Sequence, residues 1–342
     1  MNSSVVLLVL VLLAMASAQG SGRPLPRTKS DFDFEGTKLG WQQWTGSLPN
    51  GAVSIKNGYT KSLDYICNQS QFCVYTFGAE ARRAADFSLL VNKDEFEILE
   101  WKQGHDGSVA WNALKTCENG DKYVGKNAYG LGKVSVSDRA FYLPWGAYEY
   151  KYPKDYMFLT INEDIQEDHL ENVTYHTEGI NVVEHPPKIM KNDSVKNQDC
   201  LAATVTVVIT TSDNVEHRWH DTYGFSVASS TTFKTGIPQL AEAGIRFSVE
   251  TDFAVTTGNT YSETTEHTVS LSMKVPPNSK CRVHMVGKKH GADIPYTAPL
   301  KRTYANGETK WTTITGIYRS VQISSVDGLL DRCERLSNVK PC

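Results

Sequence analysis

Long apolar runs and an excess of basic charge are both missing from this sequence of 342 residues. Beyond the first 18 residues, no apolar stretch approaches the ~20 residues that a membrane-spanning helix needs. Any insertion into a bilayer would therefore have to use strands. Lys and Arg number 35 against 38 for Asp and Glu, which gives a formal charge of -3. This balance offers no electrostatic reason to expect nucleic acid as a partner, and we predict that recognition is local.

Motifs of catalysis and metal binding are missing as well. The string from Gly224 to Ala228 is the nearest match to a G-x-S-x-G nucleophile elbow, but it lacks the final glycine. No H-E-x-x-H is present. His217, His220 and Asp221 lie close together, yet on a strand the two imidazoles would point to opposite faces. The sequence therefore predicts no metal and no cofactor, and it leaves the catalytic residues of any enzyme unknown.

The N-terminus has the pattern of an export signal. Residues 5–16 are almost continuously apolar and lead to Ala16-Ser17-Ala18, an A-x-A cleavage site. Residues 1–18 are predicted to be a signal peptide, and the protein is predicted to be secreted and extracellular. Residues 19–36 are rich in Gly, Pro, Ser and charge, which favours a linker or a short pro-segment with a protease target at residues 27–29.

Seven cysteines follow the predicted signal peptide. In an oxidising compartment most of them should pair, and the odd number leaves one over, which we take to be Cys342. The second half of the chain should hold one disulfide between two of its three strand-bordering cysteines. The candidates for pairing are Cys67, Cys73, Cys117, Cys200, Cys281 and Cys333, and the candidate N-glycosylation sites are Asn68, Asn172 and Asn192.

Two β modules are predicted after the linker. Residues 37–152 are rich in Trp, Gly and Tyr, and a repeat offset by 56 to 58 residues sets Trp44 against Trp101 and Tyr65 against Tyr123. Residues 153–336 form the second module, with a polar tail at 337–342. We interpret the tryptophans of the first module as core residues and assign them no function. They are Trp41, Trp44, Trp101, Trp111 and Trp145.

Alternation with a period of two predicts long strands in the second module. Apolar residues occupy every other position before and after Pro276-Pro277-Asn278, which should break two strands. Asn306-Gly307 predicts another tight hairpin. The alternating positions are Val269, Leu271, Met273 and Val275 before the break, then Cys281, Val283 and Met285 after it.

An amphipathic hairpin is predicted in the middle of this module, where 23 of the 74 residues from Ala202 to Val275 are Ser or Thr. Its arms are residues 223–235 and 245–257, joined by a loop at 236–244. Each arm exceeds the ~9–11 residues that a tilted strand needs to cross a bilayer. In a closed ring of such hairpins, one face would meet lipid and the other a wet lumen. Ordinary half-buried strands of a soluble sheet would show the same alternation. The apolar positions are Tyr223, Phe225, Val227, Phe233, Ile237, Leu240, Ile245, Phe247, Val249, Phe253 and Val255.

Several strings resemble the natterins of fish venom and mucus. They are LPNGAVSIKNGYT (residues 48–60), VNKDEFEILEWK (91–102), YVGKNAYGLGKV (123–134), VPPNSKCRVHMVG (275–287) and ADIPYTAPLKRTYANGE (292–308). The resemblance covers nearly the whole chain after the predicted signal peptide. It implies a lectin-like tandem repeat followed by a pore-forming module similar to that of aerolysin.

The resemblance also implies residues and partners. A polar pair around the Asp-Lys-Tyr-Val-Gly-Lys string contacts the glycan in such repeats, which gives Asp121 and Lys126 here. The first repeat has Cys67 and Asn68 where the second has Gly125 and Lys126, so at most one pocket keeps the pattern. Fish-venom natterins are also described as kininogenases, which would make kininogen a partner.

These observations together predict an all-β chain with a pseudo-symmetric lectin-like module and an elongated aerolysin-like module that stores the hairpin against its own sheet. The predicted function is a secreted toxin or defence protein that binds a target cell membrane, through a carbohydrate receptor, and forms a homo-oligomeric β-barrel pore. A secreted peptidase acting on kininogen and a soluble mucus lectin remain the alternatives.

Overall fold

The computed structural model describes residues 34, 36–69, 72–77, 87–116, 120–146, 148–221, 230–255 and 259–337. Regular structure in these ranges is strand, apart from one 3-10 turn at Lys93–Glu95. The all-β fold is therefore confirmed. Within the same ranges no helix has the length and apolar character to span a membrane. The predicted signal peptide, most of the linker and nearly all of the C-terminal tail lie outside them.

The first module consists of two antiparallel sheets. One has five strands in the order β1-β5-β3-β2, with β4 beside β3, and the other has six in the order β10-β9-β8-β7-β11-β6. The strands are β1 Leu39–Gln43, β2 Ser54–Lys56, β3 Leu63–Gln69, β4 Phe72–Phe77, β5 Ser88–Asn92, β6 Leu99–Gly104, β7 Lys122–Lys126, β8 Leu131–Ser135, β9 Ala140–Trp145, β10 Tyr148–Tyr152 and β11 Tyr156–Ile161.

The first module extends beyond both predicted ends, by strand pairing at one end and by core packing at the other. β11 pairs with β6 along its whole length and also with β7, so the sheet ends at Ile161 and not at residue 152. At the other end Phe34, inside the predicted linker, is buried and packs with Leu39 and Leu90. A segment that buries an aromatic ring in a core is part of the folded module.

The internal repeat is visible in two matching turns, at a register different from the predicted one. Asn57 follows Lys56 at the end of β2, and its Oδ1 accepts hydrogen bonds from the backbone N–H groups of the residues two and three positions later. Asn127 follows Lys126 at the end of β7 and makes the same two bonds. β2 therefore corresponds to β7, and the offset here is 70 residues. The glycine of the first turn, Gly58, lies so close to the second turn that a Cβ would be 1.9 Å from the carbonyl oxygen of Ala128.

The second module is built on one sheet of nine strands, in the order β19-β16-β12-β21-β22-β15-β20, with β13 and β14 also on β21. A separate two-stranded ribbon pairs β17 with β18. The strands are β12 Ile165–Glu171, β13 Thr174–Tyr175, β14 Val183–Asn197, β15 Ala203–Asp221, β16 Thr231–Thr235, β17 Pro238–Ala241, β18 Gly244–Phe247, β19 Thr251–Val255, β20 Thr260–Val275, β21 Ser279–Tyr304 and β22 Thr309–Arg335.

The predicted strand break and turn of this module are both confirmed. β20 ends at Val275 and β21 begins at Ser279, so residues 276–278 interrupt the strands as expected. Gly307 has a φ of 83° in the turn between β21 and β22, a backbone conformation that glycine adopts without strain. The alternating residues face one core, in which Met273, Val275 and Cys281 are buried.

Candidate functional site

The predicted hairpin is divided by a bend into two successive pairs of strands. β16 pairs with β19 from Thr231 opposite Val255 to Thr235 opposite Thr251. β17 then pairs with β18, so the chain turns at residues 242–243. The predicted loop at 236–244 is therefore wrong in extent, because half of it is strand. The first-arm residues Tyr223, Phe225 and Val227 lie outside the described residues.

Ser248 forms the bend between the two pairs of strands. Its Oγ accepts a hydrogen bond from the N–H of Ile237 at 2.8 Å, and its own N–H donates to the carbonyl of Ile237 at 3.0 Å. Gly236 is required beside it, because a Cβ there would be 2.7 Å from the carbonyl oxygen of Ser248. The bend folds β17 and β18 back over the module, where Leu240 donates its N–H to Gln322 Oε1 on β22.

The apolar face of the hairpin packs on the nine-stranded sheet. Phe233 and Leu240 are buried, while Ile245, Phe253 and Val255 pack against the same core at partial exposure. Trp219 of β15 supplies the opposing surface, with ring centroids 5.0 Å from Phe233 and 5.3 Å from Phe253. This packing removes Phe233 and Leu240 from water, and it covers in part three other side chains that the sequence assigned to the lipid-facing side.

The apolar face becomes exposed toward the bend. Phe247 stacks on Tyr175 at 5.3 Å but remains 48% exposed, and Val249 is 83% exposed. Tyr175 accepts a hydrogen bond from the Trp219 indole at 3.0 Å, and burial raises the pKa of its hydroxyl. Only part of the apolar face is therefore covered in this state.

Tyrosines of the sheet complete the surface under the hairpin, and sequence reasoning missed them. Tyr296 and Tyr318 are fully buried, and burial raises the pKa of both hydroxyls. Tyr175 contacts both rings, at 6.4 and 5.8 Å. Each lies on a strand where apolar and polar residues alternate, so the alternation indicated a buried face. The pattern could not show that this face lies under the hairpin.

His217 lies at the edge of this aromatic cluster and is 1% exposed. Its Nδ1 lies 2.6 Å from the Tyr318 hydroxyl and its Nε2 lies 3.2 Å from Glu263 Oε1. Burial lowers the pKa of His217, and the neighbouring Glu263 raises it in part. His220, three residues on, is exposed on the other face of β15, which confirms that the two imidazoles do not converge.

An ion pair fixes the strand that holds the first arm. β12 pairs in parallel with β16, and Asp168 donates its N–H to the carbonyl of Ser230. Arg302 of β21 binds the Asp168 carboxylate through two hydrogen bonds of 2.9 and 3.0 Å. Glu97, from the first module, lies 3.4 Å from the same guanidinium. All three side chains are buried.

The first module reaches this site through the turn that follows β5. Phe96 is fully buried in the core of the second module, and the guanidinium of Arg302 lies 4.6 Å from its ring centre. Asp94, which has a φ of 59°, accepts a hydrogen bond from Thr312 of β22. Glu97 also accepts the N–H of Lys38. The contact between the modules therefore lies on the strands that support the hairpin.

Long strands with two different faces flank the hairpin. β15 and β20 pair over 16 positions, from Ala203 opposite Val275 to Arg218 opposite Thr260. Along β20 the residues Ser262, Thr264 and Thr268 are exposed, whereas the positions between them are partly buried. Ser262, Thr264 and Thr268 thus lie on one outward face of β20.

The two residues with an implied glycan contact lie at opposite ends of β7. Asp121 precedes the strand, and its carboxylate accepts the N–H of Ser137 at 2.6 Å. Hydrogen bonds from the side chain and the backbone of Ser137 lower the pKa of Asp121. Lys126 ends the strand with its ammonium 4.3 Å above the Trp101 ring, and burial lowers its pKa. The structure does not bring the two together in one pocket. By the observed repeat register, Lys56 is the counterpart of Lys126 in the first repeat.

One of the predicted disulfides is present among the described cysteines. Cys281 and Cys333 are opposite each other in β21 and β22 and form a disulfide, which confirms the bond expected within this module. Cys200 is disulfide-bonded as well. Cys67 is buried with Phe87 and Leu89. Cys117, Cys342 and the side chain of Cys73 lie outside the described residues.

The three candidate glycosylation sites differ in exposure. Asn172 and Asn192 are exposed, and Asn192 Oδ1 lies 2.7 Å from His284 Nδ1. Asn68 is half-buried within β3, opposite Ser88 of β5. Asn172 and Asn192 therefore offer more access to a glycan than Asn68 does.

The peptidase alternative gains no catalytic geometry from the described residues. A groove of about 870 Å³ on the outer face of the sheet is lined by Glu216, Arg218 and His220, among others. Arg218 pairs with Glu216 at 2.6 Å. The described ranges hold no group of three side chains fit to bind a metal. Ser226, in the partial elbow, lies outside them.

Known proteins are similar in sequence to this chain, one family model over the second module and two relatives over both modules. Residues 189–335 match the family model "Clostridium epsilon toxin ETX/Bacillus mosquitocidal toxin MTX2". Natterin-3 of Thalassophryne nattereri is 38% identical over 90% of this chain and 87% of its own length, and natterin-2 of the same fish is 36% identical over 90% and 85%. The crystal structure of lamprey immune protein is similar with a TM-score of 0.43 and 19% identity, covering 88% of this chain and 94% of that one. The chain belongs to the natterin family and carries an aerolysin-like toxin domain.

Proposed function

We propose that this protein is a secreted pore-forming toxin or defence protein. It binds a target membrane, assembles with copies of itself, and releases the hairpin at residues 223–257 into the bilayer as part of a transmembrane β-barrel. One observation carries the proposal. The apolar face of an amphipathic hairpin is packed on the sheet of its own module, yet it is exposed at the bend where Val249 lies.

The energetics of release favour this reading of the hairpin. Fully burying a side chain such as Phe233 or Leu240 stabilises the stored state by ~1.5–3 kcal/mol each relative to water. Moving those side chains into lipid restores an apolar environment, so the hydrophobic cost of leaving the sheet is largely offset there. The same release into water would not be offset. Insertion therefore depends on a nearby bilayer.

The strands on either side could continue the hairpin into a barrel wall. β15 and β20 already pair over 16 positions and lead directly into and out of the hairpin segment. Their outward face is rich in hydroxyls, as at Thr204, Thr206 and Ser272, which suits a wet lumen. A barrel satisfies all backbone hydrogen bonds without a free edge in lipid.

Dye release from protein-free liposomes tests the proposal against its main rival. We expect leakage of a trapped dye at a protein concentration that releases no peptide from kininogen. Peptide release without leakage would instead support the peptidase, and glycan binding without leakage would support a soluble lectin. Secretion is tested separately, by recovering the mature N-terminus near Gln19 from culture medium.

A further inference from the structure

A row of aromatic rings is exposed on the edge of the first module. Tyr148, Tyr150 and Tyr152 alternate along β10, and their cross-strand partners on β9 are Trp145, Leu143 and Phe141. Cross-strand partners share a face of a sheet. Leu143 and Phe141 are buried in the core of the module, so the row continues that core out to the surface.

The two matching turns add a ring to each end of this row. Tyr59 of the first turn makes an edge contact with Trp145 at 5.1 Å, and Tyr129 of the second turn lies 6.2 Å from Tyr152. The turns touch each other through Gly58 and Ala128. We call these six residues the aromatic strip. They are Tyr59, Tyr129, Trp145, Tyr148, Tyr150 and Tyr152.

The strip is exposed and carries no charge of its own. Five of its six side chains are large exposed hydrophobic groups, and Tyr148 is 73% exposed. The charged residues of the β9–β10 hairpin are on the opposite face, where Glu149 pairs with Lys133. Lys61 lies at the rim, with its ammonium bonded to the carbonyl of Gly58 next to Tyr59. Exposed apolar patches of this kind mark binding surfaces.

The composition of the strip favours a lipid headgroup layer over a protein partner. Tyr and Trp have an apolar ring and a polar tip, which suits the boundary between water and hydrocarbon. With ~150–250 Å² per aromatic side chain, the exposed part of the strip totals roughly 500 Å². A stable protein interface buries about 800 Å² on each partner, so a second copy of this chain would be held poorly here. An uncharged row of rings, with the ammonium of Lys61 at its rim, suits a zwitterionic bilayer.

We propose that the aromatic strip is the surface that first docks this protein on a bilayer of zwitterionic lipids. This inference rests on the proposed function only in that both need a membrane. It assigns the first contact to the first module, remote in sequence from the hairpin that inserts. The attraction is apolar and aromatic, so binding should change little between low salt and 1 M salt.

Flotation of the full chain with phosphatidylcholine vesicles tests the proposal. The double variant Tyr148→Ser/Tyr59→Ser removes two rings from separate parts of the strip. It should bind vesicles roughly tenfold more weakly than the parent, as expected for losing two interfacial aromatic rings. Trp111→Ser is the matched control, because Trp111 is 71% exposed and lies outside the strip. It should bind like the parent. Equal vesicle binding by the parent, the double variant and the control, or an equal loss of binding in the double variant and the control, would overturn the proposal.

Two further outcomes would also overturn it. If vesicles bind the parent only when they carry a glycolipid, and free sugar competes, the strip or its surroundings bind carbohydrate. If light scattering shows a dimeric parent and a monomeric Tyr148→Ser variant, the strip is a contact between copies. Leakage is measured on the same vesicles. Binding without leakage would count against the pore alone, whereas leakage by a Tyr148→Ser/Tyr59→Ser variant that binds like the parent would count against the strip alone.

Discussion

Arg302 and Asp168 form a bidentate ion pair that is buried, with Nε donating to Oδ1 at 2.9 Å and Nη2 to Oδ2 at 3.0 Å. Burial alone would lower the pKa of the guanidinium, but the hydrogen bonds and charge of Asp168, joined by Glu97, raise it. Asp168 is on the strand that holds the first arm of the hairpin, and Glu97 is in the first module. One cation thus joins the first module to the strand that holds the hairpin.

Replacing this cation should be costly. Arg302→Met leaves two carboxylates buried without their partner, and breaking a buried pair in this way costs ~3–5 kcal/mol. We expect a lower midpoint in thermal or urea unfolding, and faster cleavage between the modules by a protease. Arg319→Met is the control, since Arg319 pairs with Asp293 in an exposed bridge worth about 0–1 kcal/mol. Equal losses in the two variants would contradict this account.

His217 should make the stored state sensitive to acid. Its folded-state pKa is lowered by burial, so the unfolded chain binds a proton more readily than the folded one. The stability that depends on neutral His217 is fully present above the unfolded pKa of about 6.5 and is lost as the pH falls below it. The thermal midpoint should therefore fall between pH 7.5 and 5.5, and His217→Gln should flatten this fall. The His217→Gln variant keeps the three residues that surround the imidazole, Glu263, Tyr318 and Tyr261.

The matched control for this prediction is His220→Gln, on the exposed face of the same strand. It should keep the pH dependence of the parent. If His217→Gln kept it as well, the acid response would have to come from other groups.

The Cys281–Cys333 disulfide should stabilise the part of the second module where β21 begins and β22 ends. It joins adjacent strands across a separation of 52 residues, and a native disulfide of this kind contributes ~2–4 kcal/mol. The double variant Cys281→Ser/Cys333→Ser should unfold at a lower denaturant concentration. Treatment with a reductant should lower the parent toward that value and leave the double variant less affected. No difference between the parent and the double variant would contradict the expected contribution.

Local patterns predicted the local parts of this fold. The alternation around Met273 and Cys281, with a break at residues 276–278, gave two strands and their buried faces because side-chain direction along a strand depends only on position. The same rule placed Phe233, Phe253 and Val255 on one packed face of the hairpin. The second arm, predicted as one strand from 245 to 257, was wrong in extent, because it is broken between β18 and β19. The extent of the loop at 236–244 was wrong, because Leu240 gains burial under β22 by continuing as strand.

Contacts between distant parts of the chain were not predictable in this way. Phe96 follows a strand of the first module and is buried in the second, and Glu97 meets Arg302 more than 200 residues later. Nothing in the residues around Phe96 encodes which strand it will meet. The tryptophans show the same limit, since Trp145 and Trp111 were expected in the core and are exposed. Hydrophobic character predicts a preference for burial, whereas the partner surface is set by the whole fold.

The face alternation of the second arm gives a direct test of the hairpin. Val249 is on the predicted lipid face and Glu250 on the predicted lumen face, yet both side chains are exposed in the stored state, so a lysine at either position should leave the folded protein intact. In a bilayer, a lysine on the lipid face costs ~2–4 kcal/mol near the midplane, and the cost recurs in every subunit of a ring. Val249→Lys should therefore abolish dye leakage, whereas Glu250→Lys should retain it and shift ion selectivity away from cations.

Phe247→Lys is a weaker test, because losing the stack on Tyr175 changes the stored state too. If Val249→Lys, with the thermal midpoint of the parent, still permeabilised liposomes, this hairpin would not be the inserting segment.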